Sequence, residues 1–413
     1  MGARLVAAGA AALAVGLVVG TAAATAAGLE PATAGTSVTA ASDAPPPAPE
    51  AEVSPSGAPD QPPGPGLPSD QRHFDRVDRI TGNLTPKSVV ASGHGLVVAQ
   101  NMIYTHTVSA FSSSGELLAT IDDRITPSDW GFSELDRPVE GGPVEAAFSK
   151  DGSQLWVSNY SMYGPGFDAP GGDTCSPRQD LDHSYLYRID TTSLEIADVV
   201  EVGSVPKFVD VTPDGRYVLV TNWCTWDLSI VATGVDGSEA REVARVPIGR
   251  YPRGIAISPD SSTAYVAVMG AEHLAVVDLV GAVAGEGEDA VSRIDDVGNG
   301  PRHLNVSPDG STLYVTLNQD GTVAKVDVAS GEVRAKIATG EAPRSSAISP
   351  DGTALFVVNY ESDTVSRVRT SDMEVLETVD VDHHPIGIAY DAVTERIWVA
   401  AYGGSLTVFA DVA

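Results

Sequence analysis

What this chain has little of narrows its chemistry. It carries two cysteines and five lysines in 413 residues, and 25 basic residues stand against 55 acidic ones for a formal charge of -30. So negative a surface excludes a passive nucleic-acid binder, which must neutralise phosphates. Its plainer consequence is solubility. There is no H-E-x-x-H, His-x-His or Cys-x-x-Cys spacing, so no metal centre is expected. A G-x-S-x-G elbow, a phosphate loop and a dinucleotide fingerprint are all missing, so neither a catalytic nucleophile nor a cofactor is expected. Sustained helical periodicity is absent as well.

What is there is a repeat. Seven times a proline opens a short apolar strand that usually runs through Ser-Pro-Asp-Gly into a second, Val/Tyr-rich strand, starting at Pro86, Pro143, Pro206, Pro252, Pro301, Pro343 and Pro385. Recurrence at roughly 40 to 50 residues marks a propeller, solenoid or array. The unit from Pro301 is the cleanest: PRHLNVS, TLYVTLN, TVAKVDV and EVRAKIATG, parted by PDG, QDG and ASG turns. Period-2 alternation between such turns means four antiparallel strands. The fold class is therefore all-β, a seven-bladed β-propeller of four-stranded antiparallel blades, which leaves only short, protected sheet edges. The last unit ends after SLTVFADV, one strand short. HFDRVDRITGNL, residues 73–84, precedes the first unit and alternates at Phe74, Val77 and Ile80, so it is expected to close the ring on the last blade.

Ahead of the propeller, taken as residues 72–413, stand two other segments. Residues 1–27 have Arg4 before an uncharged apolar run and small residues near Ala26, the pattern of a signal peptide. The uncharged stretch reaches Leu29, long enough for an uncleaved membrane anchor, and this segment is the one expected route of membrane attachment. Residues 28–71, rich in Pro and Ala, cannot bury a core and read as a disordered linker or a stalk. The expected location is secreted or extracytoplasmic. Few lysines among abundant Ala, Gly and Val match a GC-rich bacterial genome, such as an actinobacterial one.

Cys175 and Cys224 fall in loops after the second strands of neighbouring blades, and in an exported chain that favours a disulfide. In a meander, those loops share one face with the proline starts, while the Ser-Pro-Asp-Gly turns share the other. The proline face collects the irregular features. Inserts at residues 124–142 and 164–182 are expected to form a partial lid over the channel mouth, with Trp130, Phe132, Phe167, Trp223 and Trp226 nearby. Directly after the prolines stand Lys87, Lys207, Arg253, Arg302 and Arg344, interrupted by Val144 and Ile386. Because the first strands line the channel, these residues should form a broken basic ring suited to carboxylate or phosphate. His303, His384 and Trp226 are further candidates for the mouth. The recurring turn aspartates, such as Asp309 and Asp351, are read as holding their own turns.

The proline-led strand, the Ser-Pro-Asp-Gly turn and the strings YVLVTN, LWVSN and LFVVN resemble the YVTN, or YncE-like, β-propeller repeat family. NYSMYGPGF, TNWCTWDLSIV and VVNYESDTVS look like exported actinobacterial members of it. The resemblance implies an extracytoplasmic seven-bladed propeller used for binding or surface interaction. The family shades into lactonase-type hydrolases and propeller subunits of redox enzymes, which are the alternatives. The leading expectation is a non-catalytic binding protein for a small anionic ligand, a cell-envelope component or a protein partner.

Overall fold

The computed structural model describes residues 66–413 except Asp236. The leader and the linker as far as residue 65 lie outside the described residues. Seven four-stranded antiparallel sheets follow one another along the chain. Their first strands, Pro86–Ala91, Glu140–Phe148, Pro206–Val211, Pro252–Ile257, Pro301–Val306, Pro343–Ile348 and Pro385–Asp391, neighbour one another in cyclic order and surround the axis. This is the seven-bladed propeller that the repeat predicts. Strand His73–Thr81 pairs with Ser405–Val412, from His73 opposite Val412 to Thr81 opposite Ser405, and completes the last blade.

The core is a set of apolar layers between blades. Leu313, Val315 and Leu317 of the fifth blade, for example, pack on Ala256, Tyr265 and Ala267 of the fourth. Strands two and three of each blade are sandwiched by both neighbours, so they read as nearly continuous runs such as ALFVVN. The polar signature residues serve this frame. Asn222 Nδ2 donates to Asp227 at 2.7 Å and to Ser229 at 2.8 Å. Asn359 repeats the arrangement with Thr364 and Ser366. The motif asparagine is therefore a buried clamp across the second-to-third-strand hairpin. The turn aspartates act as read: Asp351 accepts from Ser349 Oγ at 2.6 Å and from the Thr353 amide at 3.1 Å.

Two features depart from the repeat. In the fourth blade a six-residue helix, Leu279–Ala284, follows the third strand, capped by Asp278 and ended by Gly285 at φ 91°. Leu279 and Ala282 are buried on the inter-blade core, which explains an element that no periodicity announces. The insert at residues 124–142 also differs from expectation. Trp130, Phe132 and Phe167 pack on Tyr185, Tyr187 and Val199 of the second blade. With Thr120 and Ile196, residues of this insert line a cleft between the outermost strands of blades 1 and 2, away from the mouth. Large aromatic side chains next to a bare apolar flank bury there rather than over a polar channel.

That insert begins at a strained point. Asp123 is 3% exposed and neither oxygen has a well-formed hydrogen bond. Burial, then Asp122 and Glu140, push its pKa up to about 8. A raised carboxyl pKa is neutral stability below the unfolded value near 4 and a growing penalty as pH climbs to 8. Asp123→Asn should therefore be more stable than the parent by several kcal/mol at pH 8, on the order of 1.4 kcal/mol for each pH unit between the two values, with the gap closing towards pH 4. Urea melts at pH 5 and pH 8 check this; an equal gap at both would refute it.

Candidate functional site

The proline at the head of each first strand shapes the site. Lacking an N–H, it interrupts regular pairing, and in every blade the register against the second strand slips just after it. The slip is a β-bulge, which re-aims the unpaired residue. That residue is Lys87, Val144, Lys207, Arg253, Arg302, Arg344 or Ile386, the set at which the sequence places the broken basic ring. Close approach of the strands brings these side chains together. A Cβ on Gly254 would lie 2.8 Å from the carbonyl oxygen of Arg302, and one on Gly387 would lie 2.8 Å from the Cα of Ser88.

The ring is buried. Lys87, Lys207, Arg253 and Arg302 are each no more than 9% exposed. Glu145, two places after Pro143, lies among them, 3.4 Å from Lys87 Nζ and 3.3 Å from Arg253 Nη2. Arg253 Nη1 also donates to the Lys207 carbonyl at 2.8 Å. Lys207 Nζ pairs with Asp173 at 2.8 Å, which comes from the insert at residues 164–182. Arg302 is different: its Nη1 faces Met269 Sδ at 3.9 Å, and no carboxylate pairs with it among the described residues. Arg344 stacks over Tyr360 at 3.4 Å and leaves its buried Nε unpartnered. Desolvation, then the neighbouring guanidinium groups, lower the pKa of Arg302 far below its usual value. Desolvation and Arg253 bring Lys207 down to about 8, although Asp173 pulls the other way.

Around these cations stands a collar that the sequence reading missed. One place beyond the repeat's asparagine position stand Met102, Tyr160, Trp223, Met269, Asn318, Tyr360 and Tyr402, each just past its second strand except Tyr160, where that strand runs on to Tyr163. Lys207 Nζ lies 4.2 Å from the Tyr160 ring and 5.0 Å from the Trp223 ring. Tyr360 meets Tyr402 edge-on at 6.1 Å and stacks on His384 at 4.2 Å. Four aromatic residues and two methionines at one repeat position were a readable signal, hidden by attention to the asparagine before them. Tyr160, Tyr360 and Tyr402 are half-buried, so the collar is open to solvent above.

The other expected mouth residues divide. His384 belongs to the collar through Tyr360, with its Nε2 3.8 Å from Glu361. Trp226 packs edge-on to Tyr251 at 6.2 Å, beside the collar's Trp223. His303 lies one place deeper than the ring, against Phe208. The disulfide between Cys175 and Cys224 joins the second insert to the third blade. It fixes the loop that presents Asp173, whose carbonyl also accepts from Trp223 Nε1 at 3.0 Å. Of the two inserts, the second reaches the ring, through Asp173 on Lys207. Between the guanidinium groups remains a void of about 10 Å³, lined by Glu145, Arg253, Arg302 and Arg344, at the lower limit of room for one water. No group of three His, Cys, Asp or Glu residues is arranged to hold a metal ion among the described residues. No helix among them is long and apolar enough to cross a membrane.

No protein-family model matches this chain. No curated protein matches it in sequence. Among solved structures it is similar to hydrazine synthase of Kuenenia stuttgartiensis, at 16% identity and a TM-score of 0.59, over 80% of this chain and 96% of that one. At that identity the likeness shows the fold alone, and the fold it shows is the β-propeller.

Proposed function

We propose that this propeller is an exported, non-catalytic binding protein that takes a small carboxylate- or phosphate-bearing molecule at its proline-face mouth. The observation that carries the reading is Arg302: a guanidinium buried beside Arg253 and Arg344, with no carboxylate of its own. A buried cation without a counter-ion is costly, and a bound anion removes that cost. Guanidinium groups suit this task because their donors match planar oxyanions. The half-buried tyrosines of the collar would flank the body of the ligand while its charged head meets the arginines. Export is supported by the disulfide, a bond that persists in oxidising compartments. The repeat strings of the YVTN type fit the same use.

Arg302→Met separates binding from folding. Without ligand the variant should be more stable than the parent by about 1 kcal/mol or more, because it removes an unpaired buried charge. In the parent, phosphate or citrate at constant ionic strength should raise the melting temperature above that in chloride. In Arg302→Met that rise should vanish. A parent whose melting temperature is the same in phosphate, citrate and chloride would count against anion binding here.

A further inference from the structure

The axial channel is widest on the other side of the ring. There the first strands enclose a well of about 480 Å³ that opens between the Ser-Pro-Asp-Gly turns, with Ser92, Ser149 and Lys150 near its rim. That volume lies in the range of small-molecule sites. Four places after the proline, the wall is Val90, Ala147, Ala256 and Ala347, which leave the bore open. At the same place the third and fifth blades carry Asp210 and Asn305. At this position the repeat is broken by polarity, and His303 and Ser346 add polar groups to the wall beside it.

Asp210 has no internal counter-ion. Its one hydrogen bond among the described residues is accepted from the Val211 amide at 2.9 Å. Asn305 Oδ1 accepts from Ser346 Oγ at 2.7 Å, which leaves its amide nitrogen for the well. Phe208 and His303, in edge contact at 5.2 Å, line both the well and the small void at the arginine layer, and so form a septum between them. His303 Nδ1 accepts from the Ser346 amide at 3.3 Å, and burial with Arg253 and Arg302 lowers its pKa to about 3, so the ring is neutral. The positive layer and the carboxyl therefore sit on opposite sides of an uncharged partition.

We propose that the well is a second ligand site, for a small organic amine whose ammonium group pairs with Asp210 and whose apolar body fills the alanine- and valine-walled bore. Asp210 is the one carboxyl lining the well, so the site repels anions, and a neutral ligand gains there only hydrogen bonds to Asp210 and Asn305. An ammonium ion supplies the missing counter-charge, and the strongly negative protein draws cations towards it. Burial raises Asp210 to about 7, and pairing with a cation favours its ionised form, so binding expels a proton. The other titratable groups lining the well are His303, neutral at these pH values, Lys150 at the rim, and Tyr390, whose pKa burial pushes upward.

Phenethylamine, with 2-phenylethanol as its neutral counterpart, tests the site by calorimetry on the full chain. The amine should bind the parent about tenfold more tightly at pH 8 than at pH 6, following ionisation of Asp210. Asp210→Asn should weaken amine binding at pH 8 by at least about tenfold and leave the alcohol unaffected. Arg302→Met, on the far side of the septum, should leave amine binding unchanged, so this site and the mouth stand or fall separately. No saturation by the amine up to about 10 mM, equal binding of amine and alcohol, or undiminished binding by Asp210→Asn would each overturn the proposal.

Discussion

A chain beginning at residue 82 should lose the single cooperative unfolding transition that a chain beginning at residue 66 retains. The strand removed, His73–Thr81, is the outer strand of the last blade. It also carries the seam between the last two blades. Phe74 packs on Phe356 of the sixth blade at 5.7 Å and on Phe409 of the seventh at 5.2 Å. The fully buried Arg367 guanidinium lies 4.7 Å from the Phe74 ring and 2.7 Å from Asp411, and it also donates to the Ser69 carbonyl. Deleting the strand removes the Ser69 acceptor, uncovers the ion pair and opens an unpaired edge along Ser405–Val412. The first and last blades still meet through Val89, Val97 and Phe111 on Trp398, Ala400 and Leu406, but the last blade is left with three strands and a bare edge, so it should loosen ahead of the rest. Asp411→Ala isolates the ionic part: it leaves Arg367 buried without its partner and should cost about 3 to 5 kcal/mol. The double change Arg367→Met, Asp411→Leu should recover much of that cost. Urea melts followed by tryptophan fluorescence decide the matter, and identical midpoints for the two truncations would show that closure is dispensable.

Replacing Cys175 and Cys224 together by alanine should lower stability by about 4 kcal/mol, the chain-entropy value for a closed loop of this size. The separation of 49 residues sets that figure. The effect should also be local. Cys224 packs with Val205 and Trp223, so the freed insert would loosen Asp173 from Lys207 and from Trp223. Lys207, held buried in the parent, should then react faster with an amine-directed acylating reagent, as read by peptide mass spectrometry. Unchanged stability together with an unreactive Lys207 would mean that packing alone holds the insert.

Much of this architecture was legible along the chain because it is repetitive and local. Alternation within each strand, the Pro-Asp-Gly turns and the missing fourth strand of the last unit are properties of neighbouring residues. The basic ring was legible as a set, since equivalent places in equivalent blades share one face. Its chemistry was not. Glu145 occupies the place where other blades carry Ser88, Phe208 or His303, and nothing in the second blade marks it as the counter-ion of Lys87 and Arg253. The insert at residues 124–142 went elsewhere because its aromatic side chains found apolar partners on the second blade's outer strands.

The amino-acid sequence by itself determined the all-β class, seven blades, closure by the segment at residues 73–84 and the pairing of the two cysteines, because each follows from period, turn chemistry or loop equivalence. Only the tertiary structure decided which cations lack a counter-ion, that a tyrosine-rich collar surrounds them, and that the channel widens towards the turn face around Asp210. These depend on side chains from blades far apart in the chain meeting across an axis. The distances at which they meet are set by ring closure, by the bulge after each proline and by the small residues that let the first strands approach, and no local pattern encodes them.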